Sequence, residues 1–226
     1  RWIRLTTHNR QADSINQEKM KALKTRLYTF YAEIEGNFPE NTFPAEKVLQ
    51  LKEGAQVMFL RNDSREGRYY NGKIATVTSI DYDDGIIVTD ENGDEMNVPI
   101  EKWENIQYEI DKDTKEIVPK VEGTFSQYPL RAAWAVTIHK SQGLTFDNVI
   151  IDAASAFSFG QVYVALSRCR TLEGIVLSSP RSQSCLFNNS DVSGFHEQFL
   201  PVSEMESQLE ASRAEYYMNI LKECFT

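Results

Sequence analysis

Residues 129–152 read PLRAAWAVTIHKSQGLTFDNVIID, and residues 159–174 read FGQVYVALSRCRTLEG. In the first stretch, Asn148–Ile151 is a candidate for a buried strand. In the second, Phe159–Arg168 carries a helical pattern, and Gly174–Leu177 (GIVL) is a further strand candidate. Strand, helix and strand in succession imply an α/β layer on a parallel sheet. Within the first stretch, Thr137–Gly143 (TIHKSQG) crowds small and polar residues into a turn beside a strand. Gly143 would let backbone come close to a phosphate or sugar there.

Toward the N-terminus, Ile3–Thr6 is an apolar, strand-like run. Ala12, Ile15, Met20 and Leu23 then recur at roughly helical spacing, which predicts a helix over 10–23 capped by Thr7 or Asn9. Leu27–Ile34 (LYTFYAEI) alternates and is rich in aromatics, so it predicts one strand. The chain opens Arg1-Trp2-Ile3-Arg4, with no Met and no signal-peptide pattern, and reads as a cut made inside a longer chain.

From about Leu51 the texture changes. Val57–Leu60, Ile74–Val77, Ile86–Val88, Met96–Val98 and Ile106–Tyr108 are short strand candidates, separated by the turn signals Asn71-Gly72, Asp84-Gly85 and Asn92-Gly93. That spacing predicts a small all-β barrel that interrupts the α/β layer. Tyr69, Tyr70 and Phe125 either stack on exposed nucleobases or fill the barrel core. At the other end, Met205, Leu209, Tyr216, Ile220 and Leu221 predict an amphipathic helix over 203–222.

The net charge of −9 argues against nucleic acid until its distribution is read. Residues 1–51 and 127–190 each carry +2, residues 52–126 carry −8, and residues 191–226 carry −5. The acid therefore lies in the barrel and the tail, and the segments holding the two opening motifs are mildly basic. Cys169, Cys185 and Cys224 form no CxxC and do not cluster with His8, His139 or His196, so no zinc site is expected. A reducing compartment, cytoplasm or nucleus, is the expected location. No apolar run approaches the ~20 residues that would span a bilayer, so no membrane is expected as a partner.

Two stretches mimic nucleotide-binding motifs. Gly72-Lys73 lacks the rest of a phosphate-binding loop, and no GxxxxGK[ST] occurs in the chain. GIIVTDE (85–91) imitates a strand ending in magnesium-binding acids, but Asn92-Gly93 follows at once, so Asp90-Glu91 reads as a solvated hairpin turn.

The two opening stretches closely resemble motifs V and VI of superfamily-one DNA helicases, in the spelling of the PIF/RecD-like group. RLTTHNRQADSIN (4–16) resembles that group's motif IV region, and YYNGKIATVTSI (69–80) resembles the start of its SH3-like barrel insertion. The resemblance implies a RecA-like motor domain made of residues 1–50 and 128–182, interrupted by a barrel over 51–127. An acidic tail with a helix (183–226) follows. It implies Arg168 as the arginine finger that meets the γ-phosphoryl group of ATP, with Gln142 and Gly143 near the nucleotide. Thr137 and His139 would face single-stranded DNA. Lys140 is either a phosphate contact or a solvated lysine. Asn9 and Arg10 either meet a phosphate of ATP or DNA, or Thr7 and Asn9 only cap a helix. Thr145 stands where many relatives carry Glu, which puts a carboxylate contact to ribose in doubt.

The implied partners are single-stranded DNA and the first RecA-like domain of the same parent chain. That domain would hold most of the ATP and Mg2+, so this chain alone is expected to hydrolyse nothing. The implied activity of the parent is ATP-dependent helicase action in the 5′→3′ direction. A non-enzymatic scaffold descended from a helicase is the alternative, and an acidic domain that binds a basic protein is the third.

Overall fold

The computed structural model describes residues 1–110, 115–152, 160–178, 194 and 201–224. Phe159, Cys185, Asn188 and His196 lie outside the described residues. The chain divides into two compact units, Arg1–Cys185 and Leu186–Thr226. The first begins with β1 (Ile3–Thr6), α1 (Asn9–Ala22), β2 (Leu27–Tyr31), β3 (Glu33–Gly36), β4 (Val48–Lys52) and β5 (Gln56–Phe59). It continues with β6 (Ile74–Asp81), β7 (Gly85–Thr89), β8 (Glu95–Val98), β9 (Glu101–Ile110) and β10 (Ile117–Gln127). It closes with β11 (Leu130–Ala132), β12 (Ala135–Thr137), β13 (Val149–Ile151), α2 (Gln161–Leu166) and β14 (Ile175–Leu177).

The parallel sheet has the order β12-β1-β13-β14, as the opening motifs imply. Ile3 and Leu5 of β1 lie in its centre and pack with Val136, Val149 and Ile151 in one apolar core. Burying each such side chain contributes about 1.5–3 kcal/mol. At the sheet edge, Asn16 of α1 pairs its amide with the backbone of Ala135: Nδ2 donates to the Ala135 carbonyl at 2.9 Å, and Oδ1 accepts from its N–H at 2.8 Å. The side chain thus occupies the hydrogen-bonding edge that β12 would otherwise present.

The antiparallel part forms a five-stranded sheet, β11-β5-β6-β7-β8, a three-stranded sheet, β3-β10-β9, and the pair β2-β4. Every strand candidate of the middle block is found, but Ile106–Tyr108 proves to be part of a ten-residue strand paired with β10 in a long hairpin. Leu27–Ile34 is not one strand. It changes partner at Ala32: β2 pairs with β4 and β3 with β10. All four residues of β5 are buried, because Val57 and Phe59 face the antiparallel core while Met58 faces the parallel one. Gln56, at the start of β5, donates from Nε2 to the carbonyls of Trp2 (3.0 Å) and Ala133 (2.8 Å).

Two side-chain expectations are corrected, and for Tyr69 and Phe125 the core alternative holds. Tyr69 is buried with its ring stacked on Phe59 at 4.1 Å, and Phe125 is fully buried among Phe38, Phe43 and Trp103. Neither ring is open to a base, because a small antiparallel fold fills its core with aromatics. Tyr70 is exposed. The helix over 9–22 has His8 at its cap position, and neither Thr7 nor Asn9 caps it; the Thr7 hydroxyl lies 2.8 Å from His8 Nδ1 instead. Asp90 is not solvated. It is buried and bonded to Lys73 Nζ at 2.8 Å, with the N–H groups of Asn92 and Asp94 donating to its carboxylate. Burial raises its pKa, but Lys73 and those two N–H groups outweigh burial and hold it below the ordinary value.

A second buried carboxylate organises the loop after β5. Asp63 accepts from the backbone N–H groups of Arg65, Glu66 and Arg68 and from Arg68 Nε at 3.1 Å. Its carboxyl is covered by its own loop, close to the surface. Burial raises its pKa, yet the donated hydrogen bonds prevail and hold it at about 2. A depressed folded pKa stabilises above the unfolded value and is lost as pH falls through the folded one. Unfolding measurements from pH 5 to pH 2 are therefore expected to show a loss below about pH 4 of about 2 kcal/mol from this group. The loss should be absent from Asp63→Asn; an identical acid limb in the variant would show that the carboxylate does not contribute it.

The second unit contains α3 (Val202–Cys224), slightly longer than the predicted helix, with Met205, Leu209, Tyr216, Ile220 and Leu221 all exposed. Among the described residues, no helix is long and apolar enough to cross a membrane.

Candidate functional site

Because the four strands run parallel, Thr137 closes the carboxyl end of β12, beside the carboxyl end of β1 with which it is in register. Asn9 and Arg10 begin α1 only three residues after β1 ends, so they share that end of the sheet. The carboxyl ends of parallel strands are the usual place for ligands in such layers. Thr137 itself is buried: its Oγ1 accepts from the Lys140 N–H at 3.3 Å and shapes the turn. His139 and Lys140 are exposed on that turn. The turn continues through Gln142 and Gly143, both exposed. Gly143 has φ +79°, a backbone conformation that disfavours any side chain, so the residue type is set by the turn.

The segment then runs to the other end of the sheet. Phe146 lies just before β13, and its N–H donates to the Arg168 carbonyl at 2.8 Å, while the Arg170 N–H donates to the Phe146 carbonyl at 3.1 Å. Arg170 also pairs with Asp147 at 3.1 Å. Residues 129–152 and 159–174 are thereby laced into one unit. Arg168 is half-buried, and its guanidinium is fully engaged along one side. Nε donates to the Val164 carbonyl (3.1 Å), one terminal nitrogen to the Leu144 carbonyl (3.1 Å) and the other to the Ser167 hydroxyl (3.1 Å). Leu144 follows Gln142-Gly143 directly, so the structure brings these three expected nucleotide residues together. Arg10, at the start of α1, is exposed.

A hollow of about 430 Å³ opens beside the turn, lined by Lys140, Gln142, Arg131, Asn71 and Glu46, with Met58, Leu60 and Leu144 as apolar lining. The antiparallel part reaches it through the Asn71-Gly72 turn. Gly72 has φ +96°, and a Cβ there would lie 2.8 Å from a Leu144 methyl, so the turn can pack on the motif only as glycine. Sequence reading does not single out Arg131, Glu46 or Ser167. Arg131 and Glu46 carry no spacing signal, and Ser167 is marked only by adjacency to Arg168. Among the described residues no group of three His, Cys, Asp or Glu could hold a metal ion. The cationic fork of Arg168 and the open backbone at Gly143 are chemically suited to a phosphate.

Comparison with known proteins places the chain in a family. Residues 132–176 match the UvrD-like helicase C-terminal domain, and residues 39–80 match the 2B domain of the DNA helicase Pif1. The ATP-dependent DNA helicase Pif1 of Bdellovibrio bacteriovorus is 40% identical over 157 residues, covering 69% of this chain and 32% of that protein. The structure of unliganded Pif1 from Bacteroides superposes with a TM-score of 0.80 at 40% identity, over 87% of this chain and 45% of that one. Bacteroides Pif1 in complex with ADP-AlF3 and single-stranded DNA gives 0.68 at 41% identity, over 87% and 44%. The chain spans about a third of the length of the curated relatives it matches. By sequence and by fold, the chain belongs to the PIF1-like superfamily-one DNA helicases, whose C-terminal part it matches.

Proposed function

We propose that the chain is the second motor domain of an ATP-dependent DNA helicase that moves 5′→3′ inside the cell. Residues 1–50 and 128–182 form its RecA-like layer, residues 51–127 its SH3-like insertion, and residues 183–226 its acidic tail. Arg168 is the finger that meets the γ-phosphoryl group of ATP held by the first motor domain, which also supplies most of the contacts to Mg2+. Gln142 and Gly143 approach the nucleotide. The exposed residues Asn9, Arg10, His139, Lys140 and Tyr70 border the path of single-stranded DNA, and Thr137 shapes its turn. Alone, the chain is expected to turn over no ATP, for its sequence has no GxxxxGK[ST] phosphate-binding loop.

The observation that carries this reading is the bond from Arg168 to the Leu144 carbonyl. It joins the proposed nucleotide contact to the segment that leads back to the exposed Lys140 turn. A motor needs such a link, because closure on ATP must alter the grip on DNA.

The DNA track is tested by the salt dependence of oligonucleotide binding. Lys140→Ala is expected to weaken binding to single strands of any sequence and to reduce the slope of log K against log salt by about 0.7. An unchanged slope would make Lys140 a solvated lysine and move the track away from this turn.

A further inference from the structure

Arg168 has five N–H donors, of which three are committed within the chain. One hydrogen remains on each terminal nitrogen, the pair that grips a phosphate in the bidentate manner. Where those two point depends on what holds the other side of the guanidinium.

Ser167 is central to that hold. It follows the last residue of α2 with φ −70° and ψ −2°, and its N–H donates to the Tyr163 carbonyl at 2.9 Å. Its hydroxyl has one proton, which goes to the Val164 carbonyl at 3.0 Å. The oxygen is then free to accept from Arg168 at 3.1 Å. Val164 O accepts both Ser167 Oγ and Arg168 Nε, so serine, helix end and guanidinium form one closed set of bonds. The last carbonyls of a helix lack partners within it and carry partial negative charge, which favours a cation there. The Leu144 carbonyl fixes the opposite terminal nitrogen.

We infer that Ser167 is a positioning residue for Arg168: its hydroxyl aims the two uncommitted N–H groups at a phosphoryl oxygen delivered across the cleft. This rests on the finger reading above. Without the hydroxyl, the guanidinium keeps its charge and its bonds to the Val164 and Leu144 carbonyls but loses the third contact, the one that restrains the terminal nitrogen beside Ser167. A misaimed catalytic group costs rate while ground-state binding stays intact.

The test uses the longer helicase that contains this chain, with single-strand-stimulated ATP turnover as the readout. Ser167→Ala is expected to lower kcat about tenfold, the worth of a hydrogen bond to a charged group, with little change in KM for ATP or in DNA affinity. Ser167→Thr, which keeps the hydroxyl, should recover most of the rate. In an Arg168→Ala background, Ser167→Ala should add nothing. Wild-type kcat in Ser167→Ala, beside a crippled Arg168→Ala, would overturn the positioning role and leave the finger standing. Full activity in Arg168→Ala would overturn the finger reading itself. A fall in DNA affinity matching the fall in kcat would mean that Ser167 serves only to hold the fold.

Discussion

Arg168→Ala is expected to cut single-strand-stimulated ATP turnover of the parent helicase by ~10³-fold or more, with DNA binding retained. The size follows from the chemistry. As the bond to the γ-phosphoryl group breaks, charge spreads over its oxygens, and the proposed finger is the cation that the closing domain brings to them. Arg170 is two residues on and is already paired with Asp147. Arg168→Lys should rescue little, because an ammonium cannot make three anchoring bonds and still offer two donors to phosphate. kcat and kcat/KM should fall together, the mark of an interaction made only in the transition state. The structure also offers Arg168 a lesser role, as a cation capping the carboxyl end of α2. An unchanged rate would reduce it to that cap, and the scaffold alternative would then become the leading reading.

The second large effect concerns stability. Lys73→Ala is expected to cost about 3–5 kcal/mol in denaturant unfolding of the chain. Asp90 is hidden and only 2% of its side chain is exposed, while Lys73 is 15% exposed. Removing the lysine leaves a carboxylate that cannot rehydrate, and it also removes the bond from Lys73 Nζ to the Arg68 carbonyl at 2.9 Å. Lys73→Met combined with Asp90→Asn should recover part of the loss, since no unpaired charge then remains. A loss under about 1 kcal/mol in Lys73→Ala would mean that the N–H groups of Asn92 and Asp94 suffice to hold Asp90.

That ion pair also marks where the sequence is hard to read. The Asp90 turn has the residues of a hairpin, and hairpin turns are usually wet; only the distant start of β6 shows that a lysine seals it. Tyr69 and Tyr70 are adjacent and chemically identical, and the course of the loop between β5 and β6 sends one inward and the other out. The parallel sheet was legible because buried strands are continuous apolar runs, and the middle strands because Asn-Gly and Asp-Gly turns separate them. The change of partner at Ala32 leaves no such trace, since both halves of the segment are equally strand-like. At the site, it is the resemblance of the two opening stretches to helicase motifs V and VI that assigns Gln142, Gly143 and Arg168 to one place. The group that joins them is the carbonyl of Leu144, and a backbone oxygen is identical in every residue.

The side chains of β5 enter two cores, its Gln56 is riveted to Trp2 and Ala133, and its partner β11 leads within three residues into β12. Between the antiparallel part and the parallel sheet there is therefore no joint. A load met by the five-stranded sheet would pass into the parallel sheet as a push on a stiff lever.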